Sequence, residues 1–170
     1  MERPFGGLDR LFEPRHVAVV GASSDAGKFG GRAFRYLLDT GFAGRSFAVN
    51  PKQSTVFGEP AWASLAALPL VPDLIIVSVP PDQAVEAVEQ GARLGISAAV
   101  VFTSGFAETD AEGRSRQRRM ADIARGSGLR LLGPNCIGLA DVNRRFAGTF
   151  ATMWVDGFDE PGPVSVVSQS

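Results

Sequence analysis

The residues able to do chemistry in this chain are small and polar, and they recur where apolar runs end. The first group is Gly21-Ala22-Ser23-Ser24-Asp25-Ala26-Gly27-Lys28-Phe29-Gly30, directly after the run Val17–Val20. Small residues and free backbone N–H groups leading into a helix suit an anion, because the helix start carries partial positive charge. The glycines fall at 21, 27 and 30, which is not the GxGxxG dinucleotide spacing. Gly27-Lys28-Phe29 also lacks the hydroxyl residue that a Walker loop places after its lysine. Two readings stand on these residues alone: a cradle for a phosphate-bearing ligand, and a tight strand-to-helix turn.

Four more turns carry similar chemistry. Asn50-Pro51-Lys52 ends the second apolar run. A site for NAD places Asp or Glu near this point to hold the ribose hydroxyls, whereas Lys52 would attract a further phosphate. That disfavours NAD and leaves two alternatives, NADP and another ligand with an extra phosphate; a solvated loop lysine is the plain reading. Val79-Pro80-Pro81-Asp82 stops a strand sharply, since neither proline has an N–H to pair. Thr103-Ser104-Gly105 and Gly133-Pro134-Asn135-Cys136 close two later runs. None of these turns holds a histidine, a carboxylate pair or a nucleophile with a base. One cysteine and one histidine exclude an internal disulfide and make a protein-only metal site unexpected. The reading is a binding domain whose chemistry is completed elsewhere.

The elements that must position these turns alternate strand and helix. Val17–Val20, Ser46–Asn50, Asp73–Val79, Ser97–Thr103 and Leu129–Leu132 read as buried strands. Helices are expected over 28–40, closed by Gly41, over a segment capped by Asp82 and closed by Gly95, and over 111–125. Strands separated by helices give an α/β class, a three-layer domain with a mostly parallel sheet, whose ligands bind outside the strands' carboxyl ends. Trp62 and Leu65 are expected to anchor a short helix as core residues. Residues 1–15 read as an arm with one amphipathic turn at Leu8, Leu11 and Phe12, and residues 16–156 as the domain. Residues 145–152 read as a strand. Residues 157–170 read as a linker and the first strand of a following domain, Val164–Ser170, with a sheet-completing last strand as the rival reading. A net charge of −1 from 17 basic and 18 acidic residues supplies no general field for nucleic acid or an anionic membrane. The arginines at 114, 116, 118 and 119 read as a solvated helix face. No apolar run reaches membrane-spanning length and no secretory segment opens the chain, so the cytosol is the expected location.

Taken together, the turns resemble the CoA-binding domain of the NDP-forming acyl-CoA synthetases, the family of ADP-forming acetate–CoA ligase and the succinyl-CoA synthetase alpha subunit. The resemblance is carried by VAVVGASSDAGKFGG at 17–31, AVNPK at 48–52, IIVSVPPD at 75–82, VVFTSGFAE at 100–108 and LLGPNCIGL at 131–139. It implies a Rossmann-like fold with coenzyme A or an acyl-CoA as ligand. Gly21, Ala22, Ser23, Ser24, Gly27, Lys28 and Gly30 would receive its phosphates, with Asn50, Pro51 and Lys52 beside them and Lys52 paired to a phosphate. Val79, Pro80 and Pro81 would bound the nucleotide and pantetheine path. Thr103, Ser104 and Gly105 would lie along the pantetheine arm, and Asn135 near the thiol; Cys136 would be structural. The family's phosphorylated histidine belongs to a following domain, so the implied partners are ligase-type and nucleotide-grasp domains of the same protein or of a partner subunit. The segment PGPVSVVSQS at 161–170 resembles the start of that ligase-type domain. The domain also resembles the amino-terminal part of synthetase-like lysine acetyltransferases, where it would bind CoA or acetyl-CoA as a regulator.

Overall fold

The computed structural model describes residues 8–154, 156 and 160–168. A short helix α1 (Asp9–Phe12) precedes β1 (His16–Val20), α2 (Phe29–Asp39) and β2 (Arg45–Val49). Next come β3 (Thr55–Val56), β4 (Glu59–Trp62), a 3-10 turn at Leu65–Ala67, β5 (Leu74–Val77) and α3 (Pro81–Arg93). The chain continues through β6 (Ala98–Val101), α4 (Ala111–Ser127), β7 (Arg130–Leu132) and a hairpin of β8 (Gly138–Asp141) with β9 (Phe146–Thr149). The main sheet has the order β3-β4-β2-β1-β5-β6-β7, and every pairing except β3 with β4 is parallel. It is a Rossmann-like three-layer α/β domain, as expected.

Strand alternation builds the two cores. Val17, Val19, Leu74, Ile76, Ala98 and Val100 point to one face, beneath Phe34 and Leu37 of α2, Leu11 of α1 and Phe146 of β9. Ala18, Ile75, Val77, Ala99 and Val101 point to the other, beneath Ala84, Val85 and Val88 of α3 and Met120 of α4. Both faces are covered, so β5 reads as the unbroken apolar run LIIV with every residue fully buried. Each such aliphatic side chain contributes about 1.5–3 kcal/mol of transfer free energy.

Several expectations are corrected. Trp62 is not on a helix but ends β4, where its ring meets Phe47 edge-on at 5.4 Å; only Leu65 lies in the short 3-10 turn. The helix signal failed because β3 and β4 are very short strands joined by Phe57-Gly58, both at positive φ. Asp82 does not cap α3: Pro80 holds that position without a side-chain bond, and Asp82 instead accepts from Arg116 of α4 at 2.6 and 3.2 Å. Strand β8 gave no sequence signal, its residues GLAD being only half apolar. Residues 164–168 join neither sheet, so the reading of 164–170 as a sheet-completing last strand fails over the described residues, where Val164, Val166 and Val167 stand exposed. Residues 1–7 of the arm, 155, 157–159 of the linker and 169–170 lie outside the described residues.

Candidate functional site

The loop between β1 and α2 is folded by its own side chains. The Ser23 hydroxyl oxygen accepts from Asp25 N–H at 3.1 Å, and Asp25 Oδ1 accepts from Gly27 N–H at 2.9 Å. Gly21 sits at φ +89°, and a Cβ there would stand 2.3 Å from the Ser78 carbonyl oxygen. A Cβ on Gly30 would stand 2.2 Å from the Gly21 carbonyl, so both glycines allow backbone to approach backbone. Lys28 is the N-cap of α2 and offers no side-chain acceptor. No side chain of the N-cap residue therefore satisfies the first N–H groups of the helix, an arrangement that an anion fits. Helix α4 contrasts with this, because Asp110 caps it through Gly113 N–H at 2.8 Å.

The turn after β2 is tied to that loop. Asn50 Nδ2 donates to the Ala22 carbonyl at 2.7 Å, while Asn50 Oδ1 accepts from Lys52 N–H at 2.8 Å. Gln53 adds a further tie, its Oε1 accepting from Ser24 N–H at 3.4 Å. Lys52 is exposed, and its ammonium group pairs with no carboxylate among the described residues. Asn50 is thus occupied with backbone, which leaves the exposed ammonium groups of Lys52 and Lys28, neither paired with a carboxylate among the described residues, as the charges on offer.

Beside the loop, the carboxyl ends of β5, β6 and β7 frame a cavity of about 600 Å³. Ser78, Val79, Pro80, Thr103, Ser104 and Asn135 line it together with Phe29, Phe102, Cys136, Ile137 and Phe150. The Thr103 hydroxyl donates to the Val79 carbonyl at 2.7 Å, and Asn135 N–H donates to the Thr103 carbonyl at 2.9 Å. These bonds stitch the three turns together. Asn135 holds φ +53°, a left-handed conformation that asparagine tolerates. Gly105, at φ +95°, faces Pro81; its N–H and that of Phe106 donate to Glu108 at 2.6 and 3.1 Å. Burial pushes the Glu108 carboxyl up, but hydrogen bonds from Glu108, Phe106 and Gly105 N–H outweigh it and hold it below the usual carboxylate range. Burial pushes the Cys136 thiol up, and its Sγ lies 3.4 Å from the Val101 carbonyl. A thiol so placed is poor in thiolate and suits a structural position.

The structure brings Val79, Pro80, Thr103, Ser104 and Asn135 into one cavity. Gly21 and residues 23–28, with Asn50, Pro51 and Lys52, belong to the neighbouring turns; Pro81 and Gly105 are not among the lining residues, and Ala22 is fully buried in the core, where its side chain meets no ligand. Gly30 does not face a ligand, as it is buried against Gly21 and Ser78. Sequence reasoning missed the aromatic wall. Phe29 stacks on Phe150 at 4.1 Å, Phe102 meets Phe150 edge-on at 4.9 Å, and Arg32 donates to the Phe150 carbonyl at 3.1 Å. It also missed Gly31, where a Cβ would stand 2.1 Å from the Asp25 carbonyl.

A parallel sheet with a glycine loop at the point where strand order reverses, opening on an uncapped helix, defines a domain that binds a phosphate-bearing coenzyme. The family profile described as "CoA binding domain" matches residues 15–141. The ADP-forming acetate–CoA ligase I of Archaeoglobus fulgidus is 36% identical over 163 residues, covering 96% of this chain and 23% of that protein. The alpha subunit of ADP-forming acetate–CoA ligase II from Pyrococcus furiosus is 33% identical over 163 residues, covering 96% of this chain and 34% of that one. A solved structure from Ca. Korarchaeum cryptofilum, titled a dinucleotide forming acetyl-coenzyme A synthetase 1 in complex with phosphate and ADP, superimposes with TM-score 0.79. It is 34% identical, and the match covers 84% of this chain and 30% of that one. This chain belongs to the CoA-binding domain family related to the ADP-forming acetate–CoA ligases, and coenzyme A is its ligand. It spans about a quarter to a third of the length of these relatives.

Proposed function

We propose that this chain is the CoA-holding part of an NDP-forming acyl-CoA ligase. It presents the coenzyme for thioester formation, and ligase-type and nucleotide-grasp domains, in the same protein or in a partner subunit, complete the reaction in the cytosol. The observation that carries this reading is the continuity of the uncapped α2 start with the cavity at the ends of β5, β6 and β7. The coenzyme is anionic at one end and extended and less polar at the other, so it matches a rim of N–H groups that runs into a partly aromatic cavity. In this reading the Gly21–Lys28 loop receives phosphates through the Ser23 and Ala26 N–H groups, which its own bonds leave unused, together with the first N–H groups of α2, and Lys52 adds a point charge. Val79 and Pro80 flank the pantetheine path. Thr103 and Ser104 border it, and Asn135, beside Phe150, marks the thiol end. Residues 16–156 form the binding domain, and residues 157–170 lead into the next one.

Titration calorimetry with CoA, acetyl-CoA and NADP tests this. CoA is expected to bind, and Lys52→Glu to weaken it about tenfold or more, as loss of a charge-assisted phosphate contact requires. NADP binding tighter than CoA, or equal CoA affinity of wild type and K52E at every salt concentration, would overturn the assignment.

A further inference from the structure

The opposite end of the sheet carries a second cavity, of about 650 Å³, at the amino-terminal ends of β1 and β2. Five residues of strand separate it from the glycine loop along β1, a span of about 16 Å. Four arginines line it, Arg15, Arg45, Arg144 and Arg145, against a single carboxylate, Glu13. Arg144 is already satisfied, bonding Glu13 at 2.5 Å and Asp141 at 2.7 Å. The guanidinium groups of Arg15, Arg45 and Arg145 have no hydrogen-bond or ion-pair partner among the described residues.

The backbone beneath them is fixed. Arg45 N–H donates to the Arg15 carbonyl at 2.8 Å, and Arg15 N–H donates to Asp73 Oδ2 at 2.8 Å. Arg145 is held at φ +51°, its carbonyl accepting from the Thr40 hydroxyl at 3.0 Å. Its Cδ lies 3.5 Å from the position a Cβ on Gly41 would take, over the carboxyl end of α2. That end attracts a cation, which orders the side chain without neutralising it. Phe42 and Phe146, with ring centroids 5.3 Å apart, supply an apolar floor. Three like charges around one concavity repel each other unless an anion sits among them. Guanidinium forks match phosphate oxygens in pairs.

We propose that this cavity is a binding site for a small phosphate-bearing anion, separate from the coenzyme site and independent of that assignment. A concave site with an apolar floor and a volume in the small-molecule range fits such a ligand better than an acidic polypeptide, which a flat basic patch would serve. The test is amide NMR of the 15N-labelled chain titrated with inorganic pyrophosphate, which also reports any binding at the glycine loop. Saturable shifts are expected at His16, Gly44 and Arg45. The R45Q/R145Q double variant should lose about tenfold or more in affinity at those amides, while shifts at Ser23–Gly31 are unchanged. Shifts confined to Ser23–Gly31, edge shifts that never saturate, or equal affinity in the double variant would overturn the proposal. So would saturation of the edge by polyglutamate but not by pyrophosphate.

Discussion

Asn50 does what a ribose-binding carboxylate does elsewhere, but towards the protein itself. Its amide nitrogen needs an acceptor and its oxygen needs a donor, and the Ala22 carbonyl and Lys52 N–H supply them at 2.7 and 2.8 Å. Replacing Asn50 with Ala removes both bonds and should cost about 1–3 kcal/mol of stability. Asn50→Asp should be worse, since a carboxylate oxygen would then face the Ala22 carbonyl. Thermal unfolding of the two variants checks the order; N50D as stable as wild type would show that the tie is dispensable. The sequence marked residue 50 through the missing acid. It could not reveal that the amide is consumed internally, because that depends on how close two turns come in space. Lys52 was legible for the opposite reason, as a charge at a strand end with nothing nearby in sequence to answer it.

At the scale of elements, glycine placement decides which helix can pack. Gly30 and Gly126 both lie in helices, yet a Cβ on Gly30 meets the Gly21 carbonyl at 2.2 Å and one on Gly126 meets nothing within 4 Å. Gly126→Ala should therefore stabilise the chain by about 0.5–1 kcal/mol through helix propensity alone. Gly30→Ala should destabilise it by about 1–3 kcal/mol, and weaken CoA as well, because α2 must move off the loop. Denaturant unfolding of both variants reads this contrast, and equal effects would contradict the packing. Between α3 and α4, the hydrogen bond from Arg116 holds the Asp82 carboxyl below the usual carboxylate range. A folded-state pKa below the unfolded one adds stability above the unfolded value, about 4, which is lost as the pH falls through the lower folded value. The small advantage of wild type over D82N should accordingly be present at neutral pH and vanish in acid; a difference that persists at low pH would mean another cause. Sequence alone suggested a helix cap for Asp82 because a carboxylate after two prolines fits that pattern. The partner that claims it is 34 residues away. The aromatic wall escaped for the same reason: Phe29, Phe102 and Phe150 meet only because α2, β6 and the hairpin pack on one face.

For the molecule as a whole, the strand runs foretold the sheet and its ligand edge, because strands buried on both faces must be continuously apolar, as in LIIV at 74–77. The small strands β3, β4 and β8 were not legible, being too short or too polar to show a period. The strand order has one more consequence. The sheet strands on the β3 side of the β1–β5 pairing all come from the chain up to Trp62, and β5, β6 and β7 come from the chain after it. The connection at 63–73 is the only covalent link across that seam, and it is surface chain near Val71, which is half exposed. The coenzyme would then lie across a boundary between two halves, one with the glycine loop and Lys52, the other with the turns after Val79, Thr103 and Leu132. A polypeptide cut between Leu70 and Val71 should reassemble when its halves are co-expressed, held by β1–β5 pairing and by Arg32 and Thr40 reaching the hairpin. Copurification of a tagged half with its partner, strengthened by added CoA, is the expected outcome, whereas either half binding CoA alone as tightly as the uncut chain would contradict it. Coenzyme A would then be a clasp, joining two pieces of protein that evolution has left on one string.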